Sequence, residues 1–161
     1  MKRLWAPWRL EYIARKKEGG CVFCKISKSR SDKKNLILLR QKHCFVVMNR
    51  YPYNNGHLMV IPYKHTAQLK ALSPEARSEI MESVTEATEI LKRAFHPDAF
   101  NVGLNMGEAA GAGIAKHLHF HIVPRWKTDT NFFPIIAKTR SMPQYLEKTY
   151  QLLLKNKGGV L

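Results

Sequence analysis

Apolar and polar positions fall into two kinds of pattern along this 161-residue chain. Short apolar, β-branched runs predict five strands, at residues 36–39, 44–49, 57–61, 100–106 and 117–123. The second and third flank Tyr51-Pro52-Tyr53-Asn54-Asn55-Gly56, where Asn55-Gly56 tolerates positive φ, so these two strands are expected to pair antiparallel. Between the third and fourth strands the spacing turns helical. Ile80, Val84, Ala87, Leu91 and Ala94 make one apolar stripe, Ser73-Pro74-Glu75 supplies an N-cap, an N1 proline and an acidic first turn, and His96-Pro97 stops the helix. A second helix is expected near the C-terminus, where Leu146, Tyr150 and Leu153 share a face, with Pro143 near its start and Gly158-Gly159 at its end. Antiparallel strands with two main helices on one sheet face define an α+β fold. Residues 21–161 are expected to form a single domain, preceded by an arm over residues 1–20. Trp5, Pro7 and Trp8 of that arm pack either on their own core or on a second subunit.

The fifth strand carries the chemistry. His117-Leu118-His119-Phe120-His121-Ile122-Val123 alternates imidazoles with apolar residues. In a strand this puts three rings on one face at about 6.6 Å intervals, with Leu118, Phe120 and Ile122 facing a core. Solubility alone does not explain a polar face made only of histidine. Such rings can divide labour around one phosphate or carbonyl group, attacking, positioning, moving protons or holding a metal.

Composition narrows the setting. The chain suits one compact domain, and with 45% apolar residues and a mean hydropathy of -0.33 it reads as a soluble globule without a membrane span. The basic N-terminus lacks the apolar core of a signal peptide, so a cytoplasmic setting is expected. Three cysteines argue against a disulfide framework, and Cys21 with Cys24 in C-x-x-C spacing reads as a metal or redox pair in a reducing compartment. The formal charge of +15 favours anionic partners such as nucleotides, polyphosphates or nucleic acid.

The histidine row resembles the signature of the histidine triad family of nucleotidyl hydrolases and transferases. Cys21-Val22-Phe23-Cys24-Lys25-Ile26, Asn49-Arg50-Tyr51-Pro52, Gly56-His57-Leu58-Met59-Val60-Ile61-Pro62 and Lys64-His65 extend the resemblance over roughly residues 20–126. Pro124-Arg125-Trp126 and Asn131-Phe132-Phe133-Pro134 are similar to the bacterial diadenosine tetraphosphate phosphorylase-like branch. The resemblance implies a homodimer joining two five-stranded sheets into one. It also implies cleavage of dinucleoside polyphosphates in two steps, through a nucleotidyl-histidine released by water or phosphate.

Carried onto this chain, the resemblance makes His119 the nucleophile, His121 its partner at the α-phosphate or bridging oxygen, and His57 a neighbour of the same phosphate. Asn49 would meet the ribose, and Val22, Phe23, Ile26 and Val47 would form an apolar slot for a purine. Asn105, Gly111 and Gly113, in the glycine-rich loop ahead of the triad, would contact phosphate. Many relatives carry a glutamine or serine late in this loop, whereas Gly111-Ala112-Gly113-Ile114 has neither. Cys21, Cys24, His65 and His117, with His43 as a substitute for His65, would form a closed Cys₂His₂ zinc set and make His117 structural. The alternative to an enzyme is a purine nucleotide sensor or a basic nucleic-acid-binding module without turnover. No membrane partner is expected, and no nucleic-acid motif is present.

Overall fold

The computed structural model describes residues 19–130 and 144–158. Trp5, Pro7, Trp8, Pro143, Gly159 and residues 131–134 lie outside them. Five antiparallel strands form one sheet in the order β1-β2-β3-β5-β4: β1 (Ile37–Arg40), β2 (Cys44–Met48), β3 (Leu58–Pro62), β4 (Ala99–Leu104) and β5 (Phe120–Arg125). The helices are α1 (Val22–Lys28), α2 (Asp32–Asn35), α3 (Pro74–Phe95) and α4 (Leu146–Asn156), giving the α+β class the alternation predicts.

Every strand differs by a residue or more from the sequence pattern, and for the first and fifth the reason is local. Leu36 belongs to no strand because it takes the left-handed conformation, φ 60, that ends α2. The fifth strand enters the ladder at Phe120 and not at His117, since the N–H groups of His117 and Leu118 donate to Ile114 and Thr66 outside the sheet. His117 and His119 are thus held just before the ladder.

The alternation of β2 separates the two faces of the sheet. Cys44 turns toward α3, where its Sγ lies 3.2 Å from Ser83 Oγ, and Phe45 turns the other way to stack on Tyr63. Helix α3 begins as its sequence suggests, with Ser73 Oγ accepting the Ala76 N–H at 3.2 Å, and its residues Ile80, Val84, Ala87, Ile90 and Leu91 are buried. His96 closes it in the left-handed conformation at φ 48. Gly56 alone of the Asn55-Gly56 pair has positive φ, at 76; a Cβ there would also lie 3.0 Å from Leu91 Cδ2. Asn55 works through its side chain instead, accepting from Thr149 Oγ1 on α4 at 3.0 Å. Helix α4 buries Tyr150 and Leu153, and the Tyr150 hydroxyl donates to Ile37 O at 2.6 Å.

On the face away from α3, the register aligns Val47, Met59, His121 and Gly103 in one row across β2, β3, β5 and β4. Phe23 of α1 covers this face, its ring centroid 5.1 Å from that of His119.

Candidate active site

Four histidine rings meet on the face that α1 covers, and their hydrogen bonds fix the tautomer of each. The backbone N–H of Tyr53 donates to His57 Nδ1 at 3.0 Å, so that nitrogen carries the lone pair. Asn49 reinforces the assignment. Its Oδ1 accepts the Tyr51 N–H at 2.9 Å, which turns Nδ2 as a donor toward His57 Nδ1, 3.3 Å away. The proton of neutral His57 therefore sits on Nε2, which donates to His121 Nδ1 at 2.9 Å. His121 in turn holds its proton on Nε2, a buried atom with no partner among the described residues.

His119 is set the opposite way round. Its Nδ1 donates to the backbone carbonyl of His117 at 2.8 Å, leaving the Nε2 lone pair free to attack. The rings of His119 and His121 pack edge to face with centroids 4.9 Å apart. Burial, aided by the neighbouring histidines, pushes the pKa of His57 down to about 3 and that of His121 down to about 4. Both are neutral near pH 7, as the bonding pattern requires. The structure brings His57, His119 and His121 together, but His57 is 0% exposed and both its ring nitrogens are engaged within the protein.

The nucleoside-slot residues divide. Val47 and Phe23 are buried, Ile26 is half-buried against the core, and Val22 is exposed. Asn49, half-buried beside His57, keeps one Nδ2 hydrogen and one Oδ1 lone pair beyond the bonds described. In the glycine-rich loop, Gly107 and Gly111 take positive φ around a 3-10 turn at Glu108–Ala110. The Gly111 and Ala112 N–H groups are turned inward to Glu108 O and Gly107 O. Gly113 is exposed, and Asn105 is half-buried where β4 gives way to the loop.

Cys21, Cys24, His65 and His117 also converge, their ligand atoms all within 4.8 Å of one another. Cys21 Sγ lies 3.3 Å and Cys24 Sγ 3.6 Å from His117 Nδ1, and Cys24 Sγ lies 3.3 Å from His65 Nδ1. Tetrahedral zinc, with bonds of about 2.0–2.3 Å, puts its ligands about 3.5 Å apart, so the spacing fits. The donor chemistry fits as well. His117 Nε2 donates to Pro62 O at 2.8 Å, which aims the Nδ1 lone pair at the sulfurs. Burial, followed by hydrogen bonding and repulsion from Cys21, raises the Cys24 thiol above its usual range, a cost that a cation would offset. His43 takes no part in the cluster.

Three contributors carry no recognisable sequence signal. Asn54 Nδ2 donates to Asp129 Oδ2 at 2.9 Å and to Pro124 O at 3.1 Å, and the same Asp129 oxygen accepts from Arg125 Nε and the Trp126 N–H. These bonds clamp the β2–β3 connection to the end of β5. Tyr53 is the third: its ring lies over His57 and beside His121, with centroids 4.6 and 5.5 Å away. Only the turn-rich run from Tyr51 to Gly56 marks the region in sequence.

The chain is similar to several known proteins. The HIT domain matches residues 30–128. An AP-4-A phosphorylase of Mycobacterium tuberculosis is 40% identical over 162 residues, covering 95% of this chain and 83% of that protein. The asymmetrical bis(5'-nucleosyl)-tetraphosphatase of Schizosaccharomyces pombe is 32% identical over 93 residues, 58% of this chain and 50% of that protein. Among solved structures, a Zn-bound histidine triad family protein from Mycobacterium smegmatis superposes with a TM-score of 0.68 at 25% identity, covering 86% of this chain and 93% of that one.

Proposed function

This chain belongs to the HIT domain family, and on that premise we propose that it is a nucleotidyl hydrolase or transferase that cleaves dinucleoside polyphosphates such as diadenosine tetraphosphate. The observation that carries the reading is the opposed pair of tautomers, a free lone pair on His119 Nε2 beside an unpartnered N–H on His121 Nε2. One is a nucleophile and the other a donor for a departing oxygen. A sensor needs neither, so the arrangement favours turnover over binding alone.

His119 Nε2 attacks the α-phosphorus, and the bond to the bridging oxygen breaks with its electron pair leaving on that oxygen. The His121 Nε2–H bond stabilises the charge that develops there. The imidazole of the nucleotidyl-histidine keeps its Nδ1 proton on the His117 carbonyl, which disperses the positive charge of the intermediate. Water or inorganic phosphate then displaces His119, giving a nucleoside monophosphate or diphosphate. His57 acts one step back, fixing the His121 tautomer, and Asn49 both orients His57 and offers its remaining valences to the ribose. Val22, Phe23, Ile26 and Val47 border the base, and Asn105, Gly111 and Gly113 border the phosphate chain. The +15 formal charge suits a polyanionic substrate.

Cys21, Cys24, His65 and His117 would hold zinc, which when bound supplies a closed structural anchor with no position open to substrate. Among the described residues β4 is an edge strand, and with Val102 47% exposed this supports a homodimer. The free thiols of Cys21, Cys24 and Cys44 suit the reducing cytoplasm, and no described helix is long and apolar enough to cross a membrane.

Incubation with diadenosine tetraphosphate, with and without inorganic phosphate, tests the reading. ADP formed only with phosphate identifies phosphorolysis; AMP and ATP formed without it identify hydrolysis. His119→Ala should lower turnover by about a thousandfold or more. A wild-type protein that turns over no nucleotidyl substrate would overturn the enzymatic reading.

A further inference from the structure

Among the described residues, Tyr53 is the one large aromatic beside the histidine cluster that leaves more than half of itself in solvent. It is 54% exposed. One part of its ring lies against His57 and His121, and its backbone N–H holds His57 Nδ1. The position of this exposed ring is therefore tied to the same bonds that set the histidines. An aromatic surface left open beside a reaction centre is suited to stacking on a flat partner.

Its place in the ring row indicates which flat partner. Phe23 flanks His119 at one end and Tyr53 flanks His121 at the other. Attack and departure at phosphorus run roughly in line, so a group displaced by His119 leaves on the side away from His119 Nε2. The unpartnered His121 Nε2–H is the donor for that oxygen, and Tyr53 flanks His121 with its ring centroid 5.5 Å away. Gly103 pairs with His121 on β4, and a Cβ at Gly103 would meet no described residue within 4 Å, so the β4 side of His121 is not crowded by them.

We propose that Tyr53 is a specificity residue that stacks on the purine base of the departing nucleoside polyphosphate, so that the site favours substrates carrying a nucleoside at both ends. The inference rests on the nucleotidyl-transfer reading given above. The base held in the Val22, Phe23, Ile26 and Val47 slot is a separate contact.

Binding separates this inference from catalysis. In a His119→Ala background, calorimetry compares diadenosine tetraphosphate with adenosine 5′-tetraphosphate, which has the same phosphates but no second nucleoside. From the usual strength of base stacking on an aromatic ring, Y53A should cut the affinity ratio of the two ligands by about five- to 150-fold. Y53F should retain the ratio, because the stacking face remains. An equal loss for both ligands in Y53A, or an unchanged ratio, would overturn the proposal and leave Tyr53 a support for the histidines. Absence of turnover by the otherwise wild-type chain, with the ratio still dependent on Tyr53, would overturn the enzymatic reading and keep the stacking site.

Discussion

Replacing His57 by alanine removes the N–H that His121 Nδ1 accepts, and His121 is then free to take the wrong tautomer. Because His57 is fully buried, the loss should fall on kcat and not on KM, by about 10–100-fold as for other residues that orient a reactive group from behind. Steady-state kinetics with diadenosine tetraphosphate separates the two constants. The same two histidines predict a pH response. Their folded pKa values of about 3 and about 4 lie below the unfolded value near 6.5, so acid drives protons preferentially onto the unfolded chain. The stability gained by burying them neutral is complete above about pH 6.5 and is lost as the pH falls toward those folded values. Thermal melts across that window should show Tm falling on the acid side, with a shallower fall in His57→Ala. The row from His117 to His121 was legible in sequence because two-residue spacing and residue type both pointed to one face. The protonation pattern was not, because it depends on Tyr53 N–H, Asn49 Nδ2 and the His117 carbonyl, none of which a periodicity reveals.

At the level of elements, the apolar runs of β2 and β3 and the stripe of α3 were readable because each buries a whole face or segment. Helix α1 was not. Its seven residues, VFCKISK, are too few to show a 3.6-residue period, and it is held by what Phe23, Cys21 and Cys24 meet in space. The His117 end of the fifth strand was over-read, since alternation continues into extended backbone whose hydrogen bonds go elsewhere. Two substitutions test the elements that position the site. Gly56→Ala combines positive φ with a 3.0 Å contact to Leu91 and should destabilise by about 2 kcal/mol or more. Ser73→Ala removes only the α3 cap and should cost about 1 kcal/mol. Denaturant midpoints at constant slope report both, and the first should also lower activity because Gly56 adjoins His57.

For the molecule as a whole, charge and metal give separate expectations. A formal charge of +15 attracts polyphosphate from a distance, so KM for diadenosine tetraphosphate should rise with ionic strength while kcat holds. Chelation should release about one zinc per chain and lower Tm, because Cys21 and Cys24 then no longer tie α1 to His65 and His117. Light scattering at about twice the 18.6 kDa chain mass would identify the dimer. The +15 balance was visible at once in the sequence, but the convergence of residues 21, 24, 65 and 117 needed the sheet to bring distant segments together. His117 serves the cysteine cluster with its side chain and His119 with its main chain. Every residue type has a carbonyl, so a lineage can exchange the imidazole at position 117, surrender the metal and find stability elsewhere, while the nucleophile keeps its orientation.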